Sequence, residues 1–333
     1  ATSWRIVEIT HDRVLVVLPL FHVYGLNAGF GMVAATGACA VLQRSFDPAG
    51  SLAVMTEEQV TAVPGAPPMY QAWLAAADAA GSDAELRRAF AAVRLASSGA
   101  APLPAETWRG MRDRAAVTVW EGYGLTEAAP VVASTLATGR AKPECIGGPL
   151  PGVEVELRDT AEGALRAAPV EDGPGEIWVR GPNLFSGYWP DGLDGPDADG
   201  WLRTGDLAYR DADDDLHLVD RRSDLVLVSG FNVYPAEVER VLDAHPAVLE
   251  SAVIGVPDPR TGAAVRAVVV LRPGEQAGAD DLRAHASAAL ARYKVPTSVQ
   301  FLPALPHSLT GKVSRARLRE LGLPADEEAD AGG

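Results

Sequence analysis

The sequence predicts an α/β fold in which a mostly parallel sheet subdomain and a β-rich, barrel-like subdomain precede a small α+β C-terminal domain. Three observations predict it. Strand-like and helix-like runs alternate from residue 13 to about 120, as they do when a parallel sheet is covered by helices. From about 143 to 220 the pattern changes to short strands of alternating polarity. After Arg221 a compact stretch of about a hundred residues mixes both, which is an ordinary domain size.

The elements follow in order. Arg13-Val14-Leu15-Val16-Val17-Leu18 is a continuous apolar run, as buried parallel strands tend to be. Gly25 to Thr36 suits a helix packed closely through small residues, and Ala38 to Gln43 and Val60 to Val63 read as strands. Pro68 to Ala77 has helical spacing, Val93 to Ala96 is a strand, and Pro104 to Arg114 is a helix with proline near its start. Ala116 to Trp120 is the last strand of this part. In the β-rich part, Val153 to Leu157 and Glu176 to Arg180 alternate, and Leu207 to Arg210 and Leu216 to Val219 flank the acidic turn Asp211 to Asp215. The last domain reads as a strand (Leu225 to Val228), a helix (Pro235 to Asp243), two strands (Ser251 to Val256, Ala264 to Leu271), a helix (Ala279 to Ala291), a strand (Ser298 to Leu302) and a helix (Val313 to Leu321). The expected boundaries are 1–221 for the large part (1–142 α/β, 143–221 β-rich), 222–323 for a mobile C-terminal domain and 324–333 for an acidic, disordered tail.

Bulk properties narrow the function. With 333 residues and 47% apolar residues there is material for a large core. A net charge of −15 argues against nucleic acid, which demands clustered Lys and Arg. Two cysteines, Cys39 and Cys145, support neither a disulfide framework nor a zinc site and read as buried thiols. No signal-peptide pattern and no apolar run near ~18 residues is present, so a cytoplasmic protein without a transmembrane segment is expected. The chain starts with Ala1 and its first methionine is Met32, which reads as a piece of a longer protein.

Several short segments carry chemistry. In Trp120-Glu121-Gly122-Tyr123-Gly124-Leu125-Thr126-Glu127 a strand empties into a glycine-flanked aromatic, then a hydroxyl and a carboxylate. Tyr123 offers a stacking face, Thr126 a phosphate contact and Glu127 a hard oxygen for Mg²⁺. A glycine-rich turn with a core tyrosine and a solvated glutamate accounts for the same residues equally well. Ser97-Ser98-Gly99-Ala100-Ala101-Pro102-Leu103 follows a strand, at the carboxyl edge where ligands of open α/β sheets sit. Its small residues let a purine lie against the backbone or simply make a close-packed turn. Thr204-Gly205-Asp206 places a carboxylate after a glycine turn, suited to two ribose hydroxyls or to solvent. Asp220-Arg221-Arg222-Ser223-Asp224 is a charge cluster at the domain boundary. Pro306 to Lys312 puts a lysine on a loop; it is not a Walker A loop, because Pro306 and Val313 break that motif. Gly29-Phe30-Gly31-Met32-Val33-Ala34 fits a dinucleotide glycine pattern but lies too far from the preceding strand, and helix packing explains it better.

Together these segments, with Leu18-Pro19-Leu20-Phe21-His22 and Ser229 to Glu239, resemble the adenylate-forming superfamily over nearly the whole chain. The resemblance implies ATP-dependent activation of a carboxylate to an acyl-adenylate, followed by transfer to a thiol, with the small domain rotating between steps. It implies that Gly99, Ala100, Ala101, Tyr123 and Gly124 frame the adenine, Thr126 contacts phosphate, Glu127 holds Mg²⁺, and Asp206 and Arg221 bind ribose. Lys312 would neutralise charge during adenylation, His22 would close the acyl pocket, and Ser229, Gly230 and Phe231 would line the channel for the CoA pantetheine. Amino-acid-activating relatives have aspartate where His22 stands, so an uncharged acid is favoured. The wording Phe21 to Asn27 looks most like actinobacterial fatty-acyl-CoA synthetases, with Val23, Gly25, Ala28, Gly29 and Ala128 to Val131 suiting an aliphatic chain. An acyl carrier protein in place of CoA, or a non-catalytic remnant that binds the adenylate or a partner, are the alternatives. Two departures stand out. The family's Ser/Thr/Gly-rich phosphate loop is not found before Val14, so weak or no activity is expected of this chain by itself. Ser223 replaces the usual hinge Lys or Asp, from which slower rotation is expected.

Overall fold

A computed structural model describes residues 11–158, 174–221, 224–307 and 312–321. Ser223, Thr310 and Gly311 lie outside the described residues, as do the tail and residues 159–173. The chain divides into two compact units, Ala1–Thr204 with Ala208–Leu218, and Gly205–Leu207 with Val219–Gly333.

The first unit is built on a seven-stranded sheet. Its elements begin with β1 (Arg13–Val16), a π-helical segment Gly25–Gly31 running into α1 (Met32–Thr36), β2 (Cys39–Leu42), α2 (Pro48–Glu57), β3 (Ala62–Gly65), α3 (Pro67–Ala80) and α4 (Ala84–Phe90). They continue with β4 (Leu95–Ser98), α5 (Ala105–Arg114), β5 (Val119–Gly124), β6 (Val131–Ser134), α6 (Thr135–Thr138) and β7 (Gly148–Pro149). The order is β2-β1-β3-β4-β5-β6-β7. β1 to β5 run parallel, while β6 pairs antiparallel with both β5 and β7. Because side chains alternate along a strand, Leu15 and Val17 face one layer and Val14 and Val16 the other. The first layer is packed by α2 to α5 around Trp73, which meets Phe46, Tyr70 and Phe90 edge-on at ring centroid distances of 5.3–5.4 Å. The second is thinner, with Val33, Ala62 and Leu95 at its centre.

The β-rich part adds β8 (Glu154–Arg158), β9 (Gly175–Arg180), β10 (Trp201–Arg210) and β11 (Leu216–Arg221), in the order β11-β10-β9-β8. This sheet and the antiparallel end of the first one enclose a shared core that includes Tyr123, Val132, Ile146, Ile177 and Leu216. Among the described residues a bridge, Gly147 to Leu216, links them.

The second unit holds β12 (Val226–Val228), β13 (Phe231–Val233), α7 (Pro235–Asp243), β14 (Val248–Asp258), β15 (Gly262–Leu271), α8 (Ala279–Ala289), β16 (Ser298–Phe301) and α9 (Arg315–Glu320). Its sheet runs β13-β12-β15-β14, with β16 parallel to β15. α7 and α8 cover one face through Val238, Leu242, Leu282 and Ala286, while Leu318 of α9 sits on the other.

Four local expectations are corrected. The strand read as Ala116 to Trp120 runs Val119–Gly124 instead, because pairing with β6 carries the ladder through Gly122 and Tyr123, whereas Ala116 has φ 54°, which a strand excludes. Thr204-Gly205-Asp206 is no turn: it lies inside β10, with Gly205 bending the strand at φ 76°. Phe231–Val233, given no element from sequence, pairs with β12 across a two-residue turn in which Ser229 and Gly230 both have positive φ, the hairpin geometry that fits strand twist. Cys145 is buried as expected, but Cys39 is exposed on the edge strand β2.

Candidate active site

The second, thinner face of the large sheet leaves a cavity of about 150 Å³ in the first unit. Its floor is the outward set of sheet residues, Val14, Ala62, Leu95 and Trp120, with Met32 and Leu136 beside them. Its lining also includes His22, Tyr24, Ser97, Gly99, Ala100, Tyr123 and Gly124. The structure therefore brings His22, Gly99, Ala100, Tyr123 and Gly124 together with Val23, Ala28, Pro130 and Val131 of the residues expected to suit the acyl chain, beside the carboxyl ends of β4 and β5 where an open sheet offers its crevice.

The glycines do different jobs. A Cβ on Gly122 would find its nearest neighbour at 3.7 Å, and Gly122 lines the cavity. A Cβ on Gly124 would fall 1.7 Å from the Pro130 carbonyl oxygen, so Gly124 is demanded by the close approach of β6. At Gly99 the Tyr24 ring would lie 3.2 Å from a Cβ, and Ala100 takes φ 72°, which turns the chain sharply after β4. Tyr24 donates to or accepts from Ser97 Oγ at 3.1 Å, and burial pushes its hydroxyl up to about 12. Tyr24, Ser97 and Trp120 were not among the expected site residues. Ser97 and Trp120 begin segments singled out in the sequence, but no role was given to either, and only the topology shows that they and Tyr24 line a void.

Ala101 is half-buried and does not line the cavity. Thr126 and Glu127 open a 3₁₀ turn, Thr126–Ala128, just beyond β5, and they too lie outside its lining. Thr126 is exposed and Glu127 half-buried; the Tyr188 hydroxyl donates to Glu127 Oε1, and the Phe185 N–H to its main-chain oxygen at 2.8 Å. His22 Nδ1 accepts from the Tyr24 N–H at 3.2 Å, which fixes the ring in the cavity lining.

Between the cavity-lining Trp120 and Gly122 lies Glu121, whose buried carboxylate accepts the Leu103 N–H at 3.1 Å and so ties β5 to the turn that holds Gly99 and Ala100. Burial pushes its carboxyl up to about 8, against the opposing pull of backbone hydrogen bonds from Leu103 and Glu144.

In the second unit, Arg221 at the end of β11 pairs with Asp206 of β10 at 3.1 Å, a juxtaposition made by two neighbouring strands. Lys312 is half-buried in the same unit, within the field of Arg221, Asp206, Arg315 and Asp224; burial, then Arg221, pulls its ammonium below the usual lysine range. Ser229 and Gly230 form the hairpin turn, and Phe231 is exposed, its ring tilted against Tyr293 at 5.0 Å. The acid group Asp211, Asp213 and Asp215 is matched by Lys142 and Arg140 and offers no open cation site.

Comparison with known proteins fits this geometry. Residues 1–189 match the family described as AMP-binding enzyme, and 237–312 match the AMP-binding enzyme C-terminal domain. The chain belongs to the AMP-binding enzyme family. Among its curated AMP-binding relatives, a long-chain-fatty-acid–CoA ligase of Bacillus subtilis is 37% identical over 311 residues, covering 93% of this chain and 54% of its own length. A feruloyl-CoA synthase of an Amycolatopsis species is 40% identical over 328 residues, covering 95% and 64%. Among solved structures, ATP-bound MatB from Rhodopseudomonas palustris superposes with a TM-score of 0.86 at 33% identity, covering 96% of this chain and 61% of that one. The chain thus spans between about half and two thirds of the length of these family members.

Proposed function

We propose that the protein to which this chain belongs activates a fatty acid with ATP to an acyl-adenylate and transfers the acyl group to CoA. The observation that carries the reading is the cavity itself. Its lining combines aliphatic and aromatic side chains with His22, Gly99, Ala100 and Tyr123, as a pocket for an apolar acid ending at a nucleotide edge requires. The curated fatty-acid ligase relative supports the same class.

The roles follow from the chemistry of each group. Tyr123 and the small residues Gly99 and Ala100 give the adenine a flat bed. Asp206, with Arg221 holding its carboxylate in place, accepts from the ribose hydroxyls. Adenylation builds negative charge where the carboxylate attacks the α-phosphate. Lys312 stabilises that charge as a preplaced cation, and its lowered pKa reflects how little water solvates it. His22, fixed by the Tyr24 N–H, closes the acyl side. Ser229 to Phe231 offer a hairpin turn with an exposed ring for the pantetheine arm.

Mg²⁺ fits the donors present. Magnesium keeps several waters and takes one or two carboxylates plus phosphate oxygens. Glu127 with the neighbouring Thr126 hydroxyl is such a hard-oxygen pair on an accessible turn. When bound, the ion would neutralise phosphate charge. Glu127 would hold it, and Tyr188 orients that carboxylate.

A second reading, an aromatic acid as substrate, is favoured by Tyr24 and Trp120 in the cavity wall and by the 40% identity to a feruloyl-CoA synthase. The test is carboxylate-dependent exchange of pyrophosphate into ATP, run with fatty, hydroxycinnamic and amino acids on this chain and on the full-length protein that contains it. Fatty acids are expected to support exchange in the longer protein, with CoA then giving the thioester. Exchange with hydroxycinnamic acids alone selects the second reading. Exchange with amino acids alone, or with none, refutes both. A carrier protein that accepts the acyl group where CoA does not would reassign the thiol.

A further inference from the structure

We infer that Arg315 is the positioning residue for Lys312, an inference that rests on the proposed role of that lysine in adenylation. The Arg315 guanidinium is the hub of a half-buried ion cluster in the second unit. Its Nη2 donates to both carboxylate oxygens of Glu239, at 2.8 and 2.7 Å, and its Nε reaches Glu239 Oε1 at 3.3 Å. Its Nη1 lies 3.3 Å from Asp224 and 4.0 Å from Asp220. Asp220 in turn accepts the N–H groups of Arg221 at 2.8 Å and of Ala236 at 2.9 Å, and Arg221 pairs with Asp206. One guanidinium thus ties the start of α9 to the strand end that carries the ribose pair.

The link from Arg315 back to Lys312 is short and pinned. Ser314 donates its N–H to the Pro306 carbonyl at 2.8 Å, and Val313 bridges His307. Moving Arg315 therefore moves Lys312. α9 has six residues, too few to be stable alone, so its place depends on Leu318 in the core and on its arginines. The guanidinium serves Glu239 through paired donors and Asp224 through another, because its donors are set in a rigid fork that an ammonium does not reproduce. The groups facing Lys312 are Arg221, Asp206, Arg315 and Asp224, so loss of Arg315 tips its surroundings toward anions.

The first readout needs no catalysis. Labelling of Lys312 by an amine-reactive reagent is followed by peptide mass spectrometry across pH in this chain. R315Q is expected to move the labelling midpoint up, because it removes a cation that lowers the lysine's pKa. R317Q, at an exposed position on the same helix, is expected to leave it unmoved. In the full-length protein R315Q should lower the kcat of adenylation at least about tenfold. KM for ATP and thioester formation from supplied acyl-adenylate should hold within about twofold. R315K keeps the charge but not the fork, and should fall between. If R315Q fails to fold, R315Q/E239Q makes the same test, since it leaves no unpaired Glu239. An unmoved labelling midpoint in a folded variant overturns the inference. K312A separates the two claims: adenylation intact in K312A refutes the lysine's role, whereas adenylation lost in K312A but untouched in R315Q refutes the positioning alone.

Discussion

Gly122 and Gly124 flank the same tyrosine, yet the structure assigns them opposite duties, and alanine at each should separate fold from function. At Gly124 a Cβ would sit 1.7 Å from the Pro130 oxygen, 2.7 Å from its carbonyl carbon and 2.9 Å from the Val131 Cα. Non-bonded heavy atoms prefer roughly 3.5 Å or more, so β6 would have to retreat by about 1.8 Å. All three atoms are backbone, so no rotamer change relieves them. The retreat breaks the Leu125 N–H to Pro130 bond of 2.9 Å and the Gly124–Val131 pairing, and it loosens the core around the buried Val132 and Ala133. One lost hydrogen bond costs about 1 kcal/mol and overpacking a further ~1–3 kcal/mol, so G124A should lose about 2–4 kcal/mol. At Gly122 the nearest atom is 3.7 Å away, an ordinary contact. Replacing a strand glycine there is neutral or stabilises by roughly 0.5–1 kcal/mol, while the new methyl enters the cavity. Urea unfolding of this chain, read by tryptophan fluorescence, gives the stabilities, and titration with ATP or an acyl-adenylate analogue gives binding. G124A should unfold early; G122A should unfold like the parent but bind at least several-fold more weakly. A G124A variant within about 0.5 kcal/mol of the parent would refute the backbone-approach argument, and undiminished binding by G122A would take the adenine bed away from this strand.

Three further outcomes are expected. Glu121 has its pKa raised from 4.5 to about 8, so the folded chain holds a proton that the unfolded chain releases. Stability is then full below about 4.5, falls as pH rises, and levels off above about 8; E121Q, which keeps an acceptor for Leu103, should flatten that slope in urea midpoints measured across pH, and parallel slopes would sink the assignment. Trp73→Ala removes a fully buried ring with three edge-on aromatic partners and the hydrogen bond from its Nε1 to Ser51 at 2.7 Å, and should cost about 3–5 kcal/mol by the same assay. Phe231→Ala loses a ring that is 57% exposed and should change stability by less than about 1 kcal/mol. It should slow thioester formation from supplied acyl-adenylate and leave adenylation alone; a loss confined to adenylation would argue against the pantetheine assignment.

What the sequence disclosed and what it hid have physical causes. The first parallel strands were legible because β1 and β2 are short, nearly continuous apolar runs, whereas the polar and glycine residues of β4 and β5 blurred where those strands begin and end. The helix α2 was not, although Asp47 caps it by accepting the Gly50 N–H and Pro48 opens it, because its small and polar residues give no strong apolar stripe. Motif residues were legible and their setting was not. Glycine next to a polar residue reads as a turn, yet Gly122, Gly124 and Gly205 all lie inside strands. They are in strands because partners across the sheet supply the ladder, and that information is nonlocal.

The same nonlocality decides how far the site itself could be read. Glu121 lies inside a segment singled out in the sequence but on the strand face opposite Trp120 and Gly122, so its tie to Leu103 depends on how β5 and the turn after β4 pack together. Arg315 sits three residues past the lysine that drew attention, and its partners at 220, 224 and 239 are all more than seventy residues upstream in the chain. A motif names the group that touches the substrate, because chemistry restricts its type. The groups that hold it in place are restricted by geometry, which only the folded chain supplies. In this protein the burial of three carboxylates around one guanidinium is the clearest such restriction: it is costly unless each charge is answered, and it places the answer next to Lys312.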